Sequence, residues 1–196
     1  MSEYFKIEQT DGATILRLTS QDGTNRLTRA CVLSVANAIQ ELARSPRPLI
    51  ITGNQKFFSA GADLNEIAAL TAPEAFAFSK AGQLMTDAVD DFPALVIAAV
   101  NGYCMGGGTD LALACDHRIA SPHAIFGHRG AALGLITGWG GTQRLARLVG
   151  RARATEMFIA AEKVNAAHAL HYGLVDCVCG DPLAEARHWV EQKITR

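Results

Sequence analysis

Residues 95–100, Leu-Val-Ile-Ala-Ala-Val, form an apolar run with none of the polar alternation of a half-exposed strand. Such a run reads as a strand covered on both faces, the situation of a parallel sheet in an α/β fold. Directly after it, Asn101-Gly102-Tyr103-Cys104-Met105-Gly106-Gly107-Gly108-Thr109-Asp110 turns out of the strand and opens a small-residue helix over residues 107–115. The first residues of a helix carry N–H groups with no intrahelical acceptor, and negative charge is favoured there. A second stretch of this kind stands upstream, Phe58-Ser59-Ala60-Gly61-Ala62-Asp63-Leu64, again between a strand-like run and a helical pattern. Two such sites converging, with Asp110 three residues beyond Gly107, suggest a two-donor oxyanion hole with an acid/base group beside it.

The rest of the chain repeats the same rhythm. Residues 4–9 and 13–18 read as a hairpin about Asp11-Gly12. From Thr28, a plausible N-cap, Val32, Val35, Ala36, Ile39, Leu42 and Ala43 recur at helical spacing until Pro46 and Pro48. Residues 49–53 form a short buried strand. Thr71-Ala72-Pro73-Glu74 has capping-box spacing and opens a helix towards Asp91. Residues 117–120 and 124–126 read as strands, and 140–149 as a helix. Strand, strand, helix recurs about four times in this order, which predicts a spiral of ββα units in the α/β class. After Arg151 helices are expected over 154–160 and 166–172, then Gly173 at a C′ position, a strand over 174–178 and a last helix from Pro182.

Composition narrows the partners. With 18 Lys and Arg against 19 Asp and Glu, the net charge of −1 argues against nucleic acid or an anionic membrane as the main partner. No apolar run reaches the length of a membrane span, and the first residues are not an apolar signal segment. The five cysteines, Cys31, Cys104, Cys115, Cys177 and Cys179, form no CxxC pattern, which suggests reduced thiols and a cytoplasmic setting. His168 and His171 are spaced for one helix face but have no acidic or thiolate partner in the pattern, so no metal site is expected.

At the glycine-rich stretches the chain resembles the enoyl-CoA hydratase/isomerase (crotonase) family. Residues 58–64 look like its first oxyanion segment, and Ala99-Val100-Asn101-Gly102 through Gly108 like its second. Ala114-Cys115-Asp116-His117-Arg118-Ile119-Ala120 is similar to the strand that follows. Phe126-Gly127 through Ile136, with Gly138-Trp139-Gly140-Gly141-Thr142-Gln143-Arg144-Leu145, resembles its most distinctive block, and residues 169–175 its closing signature. The resemblance implies one crotonase-like domain over 1–196, with a core spiral about 1–150 and a helical C-terminal part about 151–196, the usual C-terminal helical segment being largely missing. It also implies a homotrimer or hexamer, a coenzyme A thioester as ligand and no separate cofactor.

By the same resemblance, the backbone N–H groups of Ala62 and Gly107 hold an enolate oxygen. Ala60, Gly61, Asp63, Leu64, Gly106, Gly130 and Leu135 are expected about the substrate, and Arg26 beside a CoA phosphate. Hydratases of the family carry two glutamates. Asp110 occupies the first position, one methylene shorter, and Gly130 the second. One-group chemistry, decarboxylation or a proton shift, therefore suits these residues better than hydration, and Gly130→Glu with Asp110→Glu is expected to raise hydration. His128 flanks the gap as a further acid/base candidate. The alternative from another class is a CoA-thioester-binding relative without turnover.

Overall fold

β1 (Phe5–Gln9) and β2 (Thr14–Leu18) pair antiparallel across the Asp11-Gly12 turn in this computed structural model, which describes residues 2–194. β3 (Arg26–Leu27) leads into α1 (Arg29–Leu42), whose start is fixed where expected: the Thr28 hydroxyl accepts from the Cys31 N–H at 3.1 Å. The chain then makes three further rounds. The first comprises β4 (Leu49–Thr52), β5 (Phe57–Ser59), β6 (Gly61–Ala62), α2 (Leu64–Ala69) and α3 (Ala72–Asp90). The next runs through β7 (Val96–Val100), β8 (Tyr103–Met105) and α4 (Gly107–Ala114). The last runs through β9 (His117–Ala120), β10 (Ile125–Gly127), a 3₁₀ turn over Ala131–Leu133 and α5 (Gly141–Val149).

The leading strands of these rounds enter a six-stranded sheet in the order β1-β2-β4-β7-β9, closed at its edge by β12 (Cys177–Val178). The following strands enter a four-stranded sheet, where β5, β8 and β10 run parallel beside β11 (Val164–Asn165). Equivalent strands of successive rounds lie side by side and parallel, as in β4 with β7 and β7 with β9. The fold is thus the ββα spiral expected of the sequence, and all of β7 is buried as its apolar run predicts. The α3 start also follows the sequence: the Thr71 N–H and hydroxyl donate to one Glu74 carboxylate oxygen at 2.8 and 2.6 Å.

Past α5 come α6 (Arg151–Ala160), α7 (Ala166–His171) and α8 (Pro182–Ile194). α6 begins three residues before the expected position 154, directly after Gly150, whose φ of +80° breaks the chain between two helices. The strand expected over 174–178 is confined to Cys177–Val178. Leu174 and Val175 instead close α7, both N–H groups donating to Ala169 O at 2.8 and 3.3 Å. The paired β3 and β6 were too short to show in the periodicity.

Buried Arg118 ties this last segment to the sheet. Its guanidinium donates to Leu174 O at 2.8 Å and to Cys115 O at 2.6 Å, and pairs with Asp176 at 3.3 Å. All five cysteines are free thiols. Among the described residues no helix is long and apolar enough to cross a membrane, and no group of three or more His, Cys, Asp or Glu is placed to hold a metal ion. Arg118→Leu strands two buried carbonyls and should cost on the order of 3 kcal/mol in a urea titration; a loss near zero would show that the segment is held by apolar packing alone.

Candidate functional site

The two glycine-rich turns meet. Gly61 in β6 has φ +90°, and a Cβ there would stand 2.5 Å from Met105 O and 3.2 Å from Gly107 N. Only glycine lets β6 lie so close to the start of α4. Gly106, at φ +50° and ψ −119°, turns β8 into that helix, with its N–H fixed on Gly127 O at 2.8 Å. Gly107 is the first residue of α4, so its N–H has no intrahelical acceptor.

Trp139 explains why position 107 is glycine. A Cβ on Gly107 would fall inside the Trp139 indole, and so would one on Gly82 in α3. The indole also meets the Phe78 ring edge-on, with centroids 5.3 Å apart. Its carbonyl accepts from Thr86 Oγ1 at 3.1 Å and from Arg144 Nη1 at 3.2 Å. The Trp139 N–H donates to Thr137 Oγ1 at 3.3 Å, and that hydroxyl in turn donates to Asp110 Oδ2.

Asp110 lies one turn into α4 and is fully buried. Its Oδ1 packs against Gly141, the first residue of α5, where a Cβ would overlap it. The same oxygen stands 3.2 Å from Nε2 of buried His128, but off line for a hydrogen bond, so neither atom has a hydrogen-bond partner. Burial pushes the Asp110 carboxyl up to about 7, against the Thr137 hydrogen bond and the charge of Arg144. Burial likewise brings the His128 imidazole down to about 4, with its ring tilted against Phe158 at 4.9 Å.

These groups border a cavity of about 370 Å³. Of the residues expected from the sequence, Ala60, Gly61, Ala62, Leu64, Gly106, Gly107, Asp110, His128, Gly130 and Leu135 all line it. Arg26 and Asp63 do not. Asp63 caps α2, accepting from the Asn65 and Glu66 N–H groups at 2.8 and 3.2 Å, and pairs with Arg26 at 3.3 Å. Half-exposed Arg26 also pairs with Asp22 at 2.8 Å.

Sequence reasoning missed Thr137, which orients the carboxyl, and Phe78, Trp139 and Phe158 in the cavity wall. The signal for the first wall was the Gly138-Trp139-Gly140-Gly141 block, where a tryptophan among glycines implies close backbone approach. Gly130 turned out to be closed in. A Cβ there would lie 2.7 Å from Leu135 O, within a turn whose Leu133 and Leu135 N–H groups both bond Gly130 O at 2.8 Å. The expectation that a glutamate at 130 restores hydration is therefore corrected: the side chain has no room beside that backbone carbonyl.

The sequence pattern of the enoyl-CoA hydratase/isomerase family matches residues 8–194. The chain belongs to this family. It is 38% identical over 175 residues to the crotonyl-CoA hydratase of Syntrophomonas wolfei, covering 88% of this chain and 67% of that protein. Its fold superposes on DspI of Pseudomonas aeruginosa with a TM-score of 0.94 at 34% identity, over 100% of this chain and 76% of that one. The enoyl-CoA hydratase of Bacillus anthracis gives 0.93 at 33% identity, over 98% and 77%.

The buried pair gives this family member a characteristic pH response. Asp110, raised from 3.8 to about 7, contributes stability that is present below 3.8 and lost as the pH rises through 7. His128, lowered from 6.5 to about 4, contributes stability that is present above 6.5 and lost as the pH falls through 4. Over the shared window, 4 to 6.5, the two slopes oppose each other. Asp110→Asn removes one of them, so the variant's stability should rise with pH across that window more steeply than the wild type's. Denaturant titrations at several pH values measure this, and equal slopes would place the Asp110 titration elsewhere.

Proposed function

We propose that this chain is an enzyme acting on an acyl-CoA thioester through an enolate. The backbone N–H groups of Ala62 and Gly107 hold the enolate oxygen, and the Asp110 carboxyl moves the proton beside it. The observation that carries this reading is the meeting of β6 with the start of α4 in a cavity that also holds a buried carboxyl. Each backbone donor aimed at the developing charge is worth on the order of 3 kcal/mol of barrier. The N-terminal end of α4 adds its dipole in the same direction.

Asp110 suits the proton transfer because burial holds its pKa close to neutrality, where a group both takes and gives a proton efficiently. Thr137 fixes one carboxyl oxygen and leaves the other for the reacting carbon. Much of the remaining wall is apolar, with Ile67, Leu70 and Phe78 lining it and Leu133 and Ile136 exposed at its rim. Apolar side chains left uncovered beside a pocket fit an acyl ligand that covers them.

The reaction favoured within this class is a proton shift or another conversion that needs one carboxyl. Asp110 is a methylene shorter than glutamate, and Gly130 carries no side chain, so water held between two carboxylates has no counterpart here. The relative from S. wolfei is a crotonyl-CoA hydratase, and hydration of a short enoyl-CoA is therefore the first competing activity to assay.

Asp110→Asn is expected to lower kcat by about 10² to 10⁴ with little change in thioester affinity, since the amide nearly matches the carboxyl in shape. Gly107→Pro deletes one donor while its ring also meets the Trp139 indole, so the variant's fold is first verified by circular dichroism; the folded variant should lose turnover while CoA affinity falls less. Both are read by steady-state kinetics on enoyl-, malonyl- and β-ketoacyl-CoA, with binding measured by calorimetry. Binding of every thioester with product from none would assign the chain a binding role instead.

A further inference from the structure

Asp110 Oδ1 and His128 Nε2 are two buried polar atoms 3.2 Å apart, both on cavity-lining residues and both without a hydrogen-bond partner. Buried polar atoms are almost always satisfied, so two orphans side by side in a cavity call for a ligand or a reacting group. Neither is forced there by a lack of alternatives. Thr137 satisfies the other carboxyl oxygen, and β10 delivers His128 directly after Gly127, whose carbonyl anchors the turn into α4. A second titratable side chain therefore stands beside the first, at the strand end rather than at position 130.

We propose that His128 is a catalytic residue that works in series with Asp110, carrying a proton between two carbons of a β,γ-unsaturated acyl-CoA. The inference rests on the enolate reading given above and names the substrate class of that site. Asp110 starts as the carboxylate, and His128 as the neutral imidazole with its proton on Nδ1. Both facing atoms are then acceptors, consistent with the close approach without a hydrogen bond.

The Asp110 carboxylate takes a proton from Cα. The C–H electron pair enters a dienolate whose oxygen rests on the Ala62 and Gly107 N–H groups. Once the imidazole turns into line with Oδ1, the proton passes from Oδ1 to Nε2 and from the imidazolium to Cγ. The dienolate electrons close the new Cα=Cβ bond, the carbonyl re-forms, and both residues return to their starting states. No oxidant, water or further reactant is consumed. A dry site that disfavours imidazolium makes His128 a transient carrier that gives its proton on rather than storing it. Two carriers a hydrogen-bond length apart span the ends of an allylic unit, which one short aspartate on a helix reaches less well than a glutamate.

The test uses the intact chain with vinylacetyl-CoA, whose isomerisation gives crotonyl-CoA, and with butyryl-CoA, which supports only Cα exchange. His128→Gln is expected to lower vinylacetyl-CoA isomerisation by about 10²-fold, the usual worth of a proton carrier, while Cα–H exchange from butyryl-CoA in heavy water persists. Asp110→Asn should lose both. In the wild type, vinylacetyl-CoA deuterated at Cα and turned over in ordinary water should give crotonyl-CoA that keeps part of the deuterium at Cγ, because transfer between the buried carriers outpaces their exchange with solvent. Product free of label at Cγ, or a folded His128→Gln variant that isomerises at the wild-type rate, overturns the role of His128 and leaves the enolate reading standing. A wild type that neither exchanges butyryl-CoA nor converts vinylacetyl-CoA overturns both.

Discussion

The Trp139 indole is the contact on which the site depends. It lies against Gly82 of α3 and Gly107 of α4, so it sets the distance between two helices from different rounds of the spiral. The backbone carbonyl of the same residue accepts from Thr86 and Arg144, and its backbone N–H donates to the Thr137 hydroxyl. Thr137 orients Asp110, while Arg144 anchors α5 to Asp87 and Asp90 of α3 at 2.9 and 3.1 Å. One residue thereby bears on both ends of the site: its side chain sets where the Gly107 N–H stands, and its backbone holds the threonine that turns the carboxyl. Close packing transmits such constraints because interiors lack the free volume to absorb them.

Much of this was legible in the sequence, and for identifiable reasons. The run from Leu95 to Val100 showed a doubly covered strand because apolar continuity has few other uses at that length. Thr28 and the Thr71-Glu74 pair showed helix starts because capping is local chemistry. Ala62, Gly107 and Asp110 stood out because two glycine-rich helix entries occur in one chain, and the spiral brings all three to one cavity. What stayed hidden was non-local. The Asp110–His128 approach joins two residues 18 positions apart through the bond between Gly106 and Gly127, and no periodicity encodes it. Arg26, expected beside a phosphate, pairs with Asp22 and Asp63 outside the cavity, and its contact with Asp63 is one that only the spiral's geometry reveals.

A carboxyl in this position is expensive to keep. Asp110 is removed from water, and charge there is opposed by desolvation. Two features limit the cost: the Thr137 hydroxyl on one oxygen and the positive charge of Arg144. Their combined effect leaves the group near neutrality instead of far above it, so that neither protonation state is out of reach. A site tuned in this way gives up stability at the pH where it is useful, the trade common in functional centres.

The location of the second polar group follows from the backbone. At position 130 the chain has folded into a turn closed on Gly130 O by two N–H groups, and the Leu135 carbonyl occupies the space a side chain would need. Two residues upstream the geometry is different. His128 leaves the end of β10, where parallel pairing with β8 brings Gly127 opposite Met105, next to the Gly106 turn. Any side chain at 128 that points inward from this register arrives beside the first turn of α4, and hence beside Asp110. The same pairing that positions the Gly107 donor thus also positions the imidazole. With the turn at 130 closed around a glycine, the side chain that stands beside Asp110 comes from the strand end, and it is the His128 imidazole.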